Sequence, residues 1–463
     1  MWRNLANLPD RFPRMLCRMR HVLIVSFVVS SGGLASAEVV NVTTPSELMT
    51  AISDAQPGDE IVLAAGTYRL SGATCAASGT QGMPIVVRSA EPLGAKLELD
   101  GLEGFKVTGA HWQFDGLDIR GVCANDSDCE HAFHVTGAAH DFVLRNSRVR
   151  DFNAQVKSNA AQIGGTWVAP NRGLIENNDI GDTRARATDN PVTKLNIDGG
   201  EDWVIRGNYL HDFHKAQSDQ ISYGAFFKSG SKRGVMERNL VVCERDAPEG
   251  GYRIGLSLGG GGTDPAFCAP AYDPGVPCSV EHEAGIIRNN IIANCSDVGV
   301  YLNRAKDSKV LYNTLIETTG IDFRYETTTG EAIGNVLTAV IRSRNGAPAP
   351  SMIANLENVL LGEFEMWYRD PLVGDLEVTG NVDALLGMGP AHAQVTDDYC
   401  GRTRPASGLA LGAVEHSLGA CDTQDPGGNG GGKDDDGGCQ AGTGGSWLAG
   451  LAAIALGLRR RRR

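Results

Sequence analysis

The sequence has few aromatic residues and little of the 3.6-residue apolar periodicity that amphipathic helices need. Phe, Trp and Tyr make up only 6% of the 463 residues, whereas Gly occurs 59 times. A solenoid of packed helices is therefore excluded, because each helix would need a continuous apolar stripe along one face. Abundant Gly with few aromatic side chains is typical of a long chain with many tight turns.

Positive charge is also scarce outside the two ends of the chain. The formal net charge is −13; the first twenty residues contribute +4 and the last five contribute +5, which leaves −22 for the remainder. So acidic a region is a poor binder of nucleic acid, whose phosphates it would repel. An anionic glycan would need a groove that is locally basic.

Two catalytic signatures are absent. The glycine run at residues 259–262 is not followed by Lys-Ser/Thr and lies in no βαβ unit, so it is not a phosphate loop. We interpret it as a tight bend that leads into the loop between Cys268 and Cys278. A pectin-type hydrolase is excluded because its grouped carboxylates are missing: the adjacent acids lie at residues 397–398, near the end of the coils, and at 434–436, in a linker.

The sequence does contain a repeated phrase, in which an aliphatic residue, two or three variable residues, an Asn and another aliphatic residue follow one another. The steps between successive Asn residues are 30, 31, 51, 23, 22, 23 and 23 residues. Short β-rich runs that recur near this period predict an all-β solenoid of stacked coils, with the Asn side chains in a ladder at one turn. The clear copies centre on Asn208, Asn239, Asn290, Asn313 and Asn335, and the weaker ones on Asn178, Asn358 and Asn381.

A helix is predicted ahead of the coils. Thr44 and Glu47 have the spacing of a capping box, and Pro45 stands at the first helical position. Such a helix would cover apolar side chains and unpaired strand edges at the open end of the solenoid. Its apolar face should consist of Leu48, Ala51 and Ile52.

Residues 1–37 have the composition of an export signal. Five Arg precede the apolar run at residues 22–29, and an Ala-x-Ala-like cleavage site ends at Ala37. The apolar run is too short to span a membrane permanently. We therefore expect the mature chain to begin at Glu38 in an oxidising compartment, where ten of the 11 Cys remain and can pair.

The cysteine spacing suggests a set of disulfides. Three pairs are close in sequence, and two further Cys follow neighbouring Asn positions, from which they would link adjacent coils. Cys75 and Cys439 are then left over. The expected pairs are Cys123 with Cys129, Cys268 with Cys278, Cys400 with Cys421, and Cys243 with Cys295.

The end of the chain consists of a Gly- and Asp-rich linker, residues 423–438, and a segment at residues 439–463. A Gly-Cys pair, an apolar stretch reaching Leu458 and a terminal Arg cluster follow one another in this segment. This order resembles the MYXO-CTERM sorting tails of surface proteins. The resemblance implies that Cys439 is the anchoring residue and that the Arg cluster holds the cytoplasmic end. An ordinary C-terminal membrane anchor is the alternative, and both place the protein at the cell surface.

The capping helix, the Asn-spaced coils and the closing stretch at residues 401–415 together resemble secreted right-handed parallel β-helix proteins. The resemblance is strongest to the chondroitinase B and alginate lyase group, polysaccharide lyase family six. It implies a right-handed parallel β-helix over residues 38–422, with coils from near Ile61 to near Val414. It also implies a secreted or surface-anchored enzyme that cleaves a uronate-containing polysaccharide by β-elimination.

The coils between Asn178 and Asn290 are longer than the 23-residue period, so loops must protrude from the solenoid there. These loops are rich in His and cationic residues, although the core is acidic. We interpret this clustering as a groove that faces an anionic polysaccharide. The predicted substrate-binding residues are Lys194, Arg206, His211, His214, Lys232 and Arg233.

The phrases YGAFFKSG and GGYRIG resemble the catalytic region of the lyase family. The resemblance implies that Lys228 and Arg253, on consecutive coils, flank the substrate. β-Elimination needs a neutralised uronate carboxylate, a base and a proton source for the leaving oxygen. Lys228 can be the base if neighbouring cations favour its neutral form, with Arg253 neutralising charge. We expect the two charged groups within about the width of a sugar ring of each other.

The sequence departs from the family at the metal site. The acidic residues that bind Ca²⁺ before the catalytic Lys are replaced by QISYGAFF, and Ile254 replaces the His after the Arg. A Ca²⁺ ion would therefore need other ligands, which we predict to be Asn196, Asp198 and Asp219. The alternative is a non-catalytic β-helix that binds glycan or acts as an adhesin. In both cases we expect a monomer that binds an anionic polysaccharide and no nucleic acid, and that is attached to the membrane through the C-terminal anchor or a lipid-processed Cys.

Overall fold

The structure is a computed structural model that describes residues 37–246, 250–260 and 262–423. Within these residues the chain winds into a right-handed parallel β-helix, and most coils contribute one strand to each of three long parallel sheets of 12, 10 and 10 strands. We name them the first, second and third sheet in the order in which a coil enters them. The predicted all-β, right-handed parallel β-helix is confirmed.

The strands of the three sheets are short, and each pairs with the strand one coil before and one coil after it. The first sheet consists of Val39–Val42, Glu60–Leu63, Ile85–Ser89, Trp112–Asp115, Val143–Arg145, Leu174–Glu176, Val204–Arg206, Val235–Glu237, Ile286–Arg288, Ser308–Leu311, Gly330–Ile333 and Ser351–Ile353. The second consists of Gly66–Leu70, Ala95–Leu99, Asp118–Gly121, Arg148–Arg150, Asp179–Gly181, Tyr209–His211, Leu240–Val242, Ile291–Ala293, Thr314–Ile316 and Val336–Leu337. The third consists of Ala73–Cys75, Glu103–Val107, His131–Thr136, Ala154–Asn159, Val192–Asp198, Ile221–Lys228, Tyr252–Leu258, Val300–Asn303, Ile321–Arg324 and Ile341–Arg344.

The remaining elements are small. A parallel strip at the turn from the third to the first sheet contains Ser231–Lys232, His282–Glu283 and Ala305–Lys306, and antiparallel pairs are formed by Ala161–Ile163 with Thr166–Val168 and by Tyr368–Asp370 with Asp375–Val378. The α-helices are Pro45–Asp54 and Leu361–Trp367. Single 3₁₀ turns are Asp126–Asp128, Pro265–Phe267, Pro371–Val373, Asp383–Leu385 and His416–Leu418.

Inward side chains at matching positions stack along the axis of the helix and form its core. In the first sheet, one such column is fully buried over successive coils, and burial of each large aliphatic side chain contributes about 1.5–3 kcal/mol. The strict alternation of inward and outward residues along each strand therefore fixes which side chains remain on the surface. The column includes Ile61, Val87, Phe114, Leu144, Ile175, Ile205, Met236 and Ile287.

The Asn ladder lies at the turn between the first and second sheets. The backbone N–H and the amide nitrogen of Asn208 both donate to Oδ1 of Asn239, at 3.1 and 3.0 Å. The same contacts repeat from Asn178 to Asn335, so these buried amides are satisfied. The ladder continues to Asn355, whose Oδ1 accepts from Asn335. The predicted continuation through Asn358 and Asn381 is wrong, because the last coil is shorter than the 23-residue period.

The N-terminal helix forms as predicted. The Thr44 hydroxyl accepts from the N–H of Glu47 at 3.2 Å, and the Glu47 carboxylate accepts from the N–H of Thr44 at 3.1 Å. Pro45 occupies the first turn. Leu48, Ala51 and Ile52 are the buried residues of the helix, and they join the core of the coils.

The coils end earlier than predicted. The last strand of the first sheet ends at Ile353, whereas residues 356–423 form a short helix, a hairpin and 3₁₀ turns. This segment packs an apolar cluster, which includes Phe364, Trp367 and Leu411, on the outer face of the second sheet. The prediction of coils to Val414 is wrong because that outer face is itself apolar, at Leu240 and Ile291 among others, and needs to be covered.

The four predicted disulfides form within the described residues, and the Cα atoms of the four pairs lie 4.9–6.3 Å apart. Of the cysteines that the structure describes, only Cys75 is unpaired, and it is buried. The disulfides are consistent with an oxidising, extracellular environment. The predicted export signal and Cys439 lie outside the described residues. None of the described helices is long and apolar enough to cross a bilayer.

Candidate active site

The outward residues of the third sheet form a column that runs along the axis of the helix, with neighbouring strands about 4.8 Å apart. Charged, polar and aromatic side chains occupy this column. Because the register between strands is parallel and continuous, each residue lies directly beside its counterpart in the next coil. In chain order the column reads Lys106, His134, Lys157, Asn196, Phe226, Ser257, Tyr301, Asp322 and Arg342.

At the centre of this face, one carboxylate lies between two ammonium groups. Lys157 Nζ donates to Asn196 Oδ1 at 3.0 Å and forms an ion pair with Asp198. Lys228 Nζ lies 3.7 Å from the other oxygen of Asp198. The side chains of Lys157, Asp198 and Lys228 are 17%, 13% and 15% exposed, so the cluster is largely buried but open to solvent. We call Lys157, Asn196, Asp198 and Lys228 the lysine–aspartate cluster.

The charges of this cluster depend on one another. Burial raises the pKa of Asp198, but the ammonium groups of Lys157 and Lys228 outweigh burial, and the net shift is downward. Asp198 is therefore ionised at neutral pH and holds both cations in place. Lys228 Nζ also donates to the carbonyl of Gly262 at 3.1 Å and lies 4.9 Å from the centroid of the Phe226 ring. The cation is thus fixed at the end of its strand.

The starts of the same strands are covered by loops. Lys194 is completely buried, and its ammonium group donates to Asp182 Oδ2 at 2.6 Å and to the carbonyl of Phe152 at 2.7 Å. The prediction that Lys194 faces a substrate groove is wrong, because the loop at residues 182–191 covers it.

Arg253 is also buried, with no exposed side-chain surface, and forms an ion pair with Glu244. In the sheet it lies opposite Ser222, six residues before Lys228 on the neighbouring strand. Six residues of strand correspond to about 20 Å. The prediction that Lys228 and Arg253 flank one sugar is therefore wrong.

The other predicted cations lie on separate surfaces and pair with acids. Arg206 is on the outer face of the first sheet, 2.8 Å from Glu176. Lys232 is on the small parallel strip, 3.8 Å from Glu283, and Arg233 lies 2.7 Å from Asp202. The interpretation of these cations as one groove is wrong, because the coil turns between them. Each of these cations has its acid partner on a neighbouring coil. The partner is therefore distant in the sequence, and sequence reasoning did not find it.

The two predicted histidines are not on the third sheet either. His211 lies on the second sheet between Asp179 and Asp212, with Nε2 and Nδ1 at 3.1 and 2.6 Å from their carboxylates. Burial lowers the pKa of His211, but the hydrogen bonds to Asp179 and Asp212 outweigh it and leave the pKa above its usual value. His214 is buried, which lowers its pKa. Both belong to the scaffold in this structure.

The proposed metal ligands do not come together. Asp219 lies 2.9 Å from Lys215, beside the start of the strand Ile221–Lys228, whereas Asp198 lies beside the end of that strand. The strand separates the two positions by about 23 Å. The oxygens of Asn196 and Asp198 both contact the Lys157 ammonium group. These residues do not fit a Ca²⁺ site, which needs six to eight oxygen ligands, and a lysine occupies the place of the cation.

Sequence reasoning missed Lys157, although a signal was present. Lys157 and Asn196 occupy matching outward positions in consecutive strands, AQVKSN and VTKLNID. The step of 39 residues between them differs from the 23-residue period, because the hairpin at residues 161–168 and a long loop intervene. An alignment of outward positions strand by strand would have placed Lys157 beside Asn196.

Two excursions from the coils meet near this face. Trp167 of the hairpin and Tyr272 of the loop closed by Cys268 and Cys278 stack with ring centroids 4.8 Å apart. Both aromatic side chains are partly exposed. The contact joins the excursion that follows the strand Ala154–Asn159 to the excursion that follows the strand Tyr252–Leu258.

Comparisons with known proteins agree with this architecture. Residues 42–218 match the family described as chondroitinase B. No curated protein matches the chain. Among solved structures, pectate lyase Pel9A has a TM-score of 0.55 at 16% identity, over 82% of this chain and 97% of that chain.

Two further structures are similar at lower scores. A rhamnogalacturonan lyase has a TM-score of 0.49 at 12% identity, over 74% of this chain and 97% of that chain. An alginate lyase from Paenibacillus sp. str. FPU-7 has a TM-score of 0.37 at 17% identity, over 70% of this chain and 96% of that chain. The match to pectate lyase Pel9A shows the shared fold, and the family match covers the first half of the coils. The chain is therefore a parallel β-helix protein, of which residues 42–218 are similar to chondroitinase B.

Proposed function

We propose that this β-helix binds a uronate-containing polysaccharide along the outer face of the third sheet and cleaves it by β-elimination at the lysine–aspartate cluster. The observation that carries the proposal is the pair of ammonium groups, from Lys157 and Lys228, that flank Asp198 on the open part of the sheet. The match of residues 42–218 to chondroitinase B supports it.

In β-elimination, a base removes the proton from the ring carbon next to the uronate carboxylate. The electron pair forms a carbon–carbon double bond as the bond to the glycosidic oxygen breaks, and that oxygen takes up a proton. Negative charge develops on the uronate carboxylate during this step. We propose that the ammonium group of Lys157 and the amide of Asn196 beside it stabilise that charge. Lys228 is the proposed proton acceptor. It must first lose its own proton to solvent as the polymer displaces it from Asp198, and the ammonium group that forms when it removes the ring proton then protonates the leaving oxygen. A bound carboxylate would compete with Asp198 for the two lysines.

A further contact to the polymer is proposed at Arg324, on the third strand after the one that carries Lys228. Three strand spacings place the two residues about 14 Å apart along the axis, which is two or three sugar units. Arg324 donates to the hydroxyl of Tyr301 and to Asn345 Oδ1, each at 2.7 Å, and lies over the ring of Tyr325. Since both of these hydrogen-bond partners are neutral, the guanidinium group can also bind a uronate carboxylate.

The second candidate is a β-helix that binds glycan or acts as an adhesin without turnover. The observation that favours it is the fixed position of the Lys228 ammonium group between Asp198 and the Gly262 carbonyl. A lysine held in this way binds an anion without accepting a proton. The residues that would hold Ca²⁺ in the lyase family are also replaced.

We propose that the protein works outside the cytoplasm, secreted or held at the cell surface through the segment that begins at Cys439. The four disulfides support this location, because such bonds persist in oxidising compartments. An anionic polysaccharide would be accessible there.

The test offers alginate, pectate and glycosaminoglycans to the exported protein, with and without Ca²⁺, while ultraviolet absorbance follows the unsaturated uronate that only elimination creates. The wild type should raise the absorbance with at least one polymer, and Lys228→Ala should not. Lys232→Ala is the matched control, because Lys232 is a more exposed cation four residues away on another surface. Binding without an absorbance rise for every polymer would favour the adhesin.

A further inference from the structure

A second cluster of ligand-type side chains lies on the third sheet, next to the lysine–aspartate cluster. It contains Glu103, His131 and His134, and one ligand atom from each lies within 4.8 Å of the others. We propose that these three residues bind a first-row transition-metal ion, with Zn²⁺ as the best fit. This proposal does not depend on the lyase activity.

The fold brings the three residues together through the strand register. Glu103 begins the strand Glu103–Val107, and both histidines lie on His131–Thr136, in which His131 pairs directly with Glu103. On the inner side, Phe105 and Phe133 stack with centroids 5.3 Å apart. The buried aromatic pair fixes the two strands against each other, so the ligands are held on a rigid element rather than on loops.

The hydrogen bonds of His134 leave room for either a proton or a metal ion between His134 and Glu103. His134 Nε2 lies 2.6 Å from Asn159 Oδ1, and the amide nitrogen of Asn159 donates to the carbonyl of Ala160 at 2.9 Å. Asn159 Oδ1 is therefore the acceptor, and the proton is on His134 Nε2. In the neutral ring, Nδ1 then presents a lone pair to Glu103 Oε1, which it contacts. Two acceptors in contact need a proton or a metal ion between them.

His131 adds an unused nitrogen. Its Nδ1 is buried and has no hydrogen-bond partner among the described residues, and its ring centroid lies 5.3 Å from that of His134. Buried polar atoms are rarely left without a partner, so each such case calls for an explanation. A metal ion shared with His134 and Glu103 provides one.

The donor set determines the class of metal. Two imidazoles and one carboxylate form a known zinc ligand set that leaves a coordination position open. Imidazole nitrogen excludes Ca²⁺ and Mg²⁺, which prefer oxygen ligands. Neighbouring residues already orient the ligands: Asn159 holds His134, and Lys106 lies 3.3 Å from Glu103 Oε2. The ammonium groups of Lys106 and Lys157 oppose a divalent cation, so we expect weaker binding than in a site without them.

The site lies beside the lysine–aspartate cluster, because His134 pairs directly with Lys157 in the next strand. Any open coordination position would therefore be near the face on which we propose that the polysaccharide binds. A metal ion there would add a contact for an oxygen of the polymer without taking part in the reaction at Lys228.

The test uses the metal-free exported protein, titrated with Co²⁺ and then with Zn²⁺. We expect one Co²⁺ per chain, with the visible absorption of cobalt bound to nitrogen, and displacement by Zn²⁺. Glu103→Gln and His134→Gln should each weaken binding at least tenfold. His392→Gln is the matched control, because His392 lies 3.3 Å from Glu331 but belongs to no cluster of three possible metal ligands among the described residues. Its binding should equal that of the wild type.

Two results would overturn the proposal. The first is a wild-type protein that takes up no metal, which would mean that a proton lies between His134 and Glu103. The second is uptake that is unchanged in the Glu103→Gln variant, which retains the shape of the side chain. Circular dichroism of each variant distinguishes loss of the site from loss of the fold, and none of these measurements depends on lyase activity.

Discussion

The strand Val192–Asp198 takes part in two lysine–aspartate contacts, one fully buried and one partly exposed to solvent. Near its start, Lys194 and Asp182 are fully buried and contact each other at 2.6 Å. At its end, Asp198 contacts Lys157 and Lys228 on a face that solvent reaches. The residue types are the same, so their chemistry alone does not distinguish a structural pair from a candidate site.

The difference comes from what covers each end of the strand. The loop at residues 182–191 crosses the start of the sheet and removes water from Lys194. Burial lowers the pKa of Lys194 and raises that of Asp182, in spite of their contact. At the open end, the two lysines lower the pKa of Asp198. A buried pair of this kind holds a loop in place, whereas the open cluster can exchange its partners with a ligand.

The sharpest test of this comparison is Lys194→Met. The substitution leaves the Asp182 charge buried without its partner, and we expect a loss of about 3–5 kcal/mol in the free energy of unfolding. The midpoint of urea-induced unfolding measures it. Asp182→Asn in the same chain should recover part of the loss. A loss of under about 1 kcal/mol would mean that the pair is not sealed from water.

Lys157→Met, at the open end, should reduce stability only slightly and activity strongly. Lys228 remains beside Asp198, so we expect the free energy of unfolding to fall by about 1 kcal/mol. The rate of unsaturated uronate formation should fall by about 100-fold, because one of the charges opposite the uronate carboxylate is lost. Lys232→Met provides the control for a general loss of positive charge. An unchanged rate would remove Lys157 from the proposed site.

Arg324→Ala tests how far the open face extends. We expect KM for the polymer to rise about tenfold, which corresponds to about 1.4 kcal/mol, while kcat is unchanged. The reason is that Arg324 lies about 14 Å from Lys228 and would bind a distant sugar rather than the reacting one. Steady-state kinetics on long and short oligosaccharides measures this, since the effect should vanish for fragments too short to reach Arg324. A fall in kcat alone would contradict it.

The smallest expected effect extends the comparison to histidine. The pKa of His211 is raised, so its contribution to stability is present below the ordinary histidine pKa of 6.5 and is lost as the pH rises through the pKa of the folded state. His211→Gln should therefore destabilise the protein at acidic pH and have a smaller effect on stability at alkaline pH. Thermal unfolding measured across a pH range tests this.

His282 is the comparison for that experiment, because its contribution to stability should change with pH in the opposite direction. Burial lowers its pKa to about 3, and its ring nitrogens contact the Ser231 hydroxyl and the N–H of Gly234. Its neutral form is favoured, so stability is present above pH 6.5 and falls as the pH drops below that value. If His282→Gln and His211→Gln changed stability with the same pH dependence, the hydrogen bonds of His211 to Asp179 and Asp212 would not raise its pKa as we describe.

Much of the scaffold follows from local sequence. The capping box at Thr44 and Glu47, the Asn ladder and all four disulfides were predictable, because each depends on residues close in the chain or on the repeat. Asn196 and Asp198 were predicted as metal ligands together with Asp219, and Lys228 as a catalytic residue; the ion pair of Asp198 with Lys228 was not predicted. Their partner Lys157 was missed because a long excursion interrupts the repeat between it and Asn196.

The sequence by itself determined the β-helix, since alternating apolar residues, Asn turns and a recurrent period each act within one coil or between neighbouring coils. Only the tertiary structure decided which charges meet. Lys194 and Arg253 are completely buried, whereas Lys157 and Lys228 stay partly exposed, because the loops near the starts of the strands cover the sheet more completely than those near the ends. Burial depends on these non-local crossings, which no local pattern encodes, and burial separates a structural ion pair from a site that a ligand can enter.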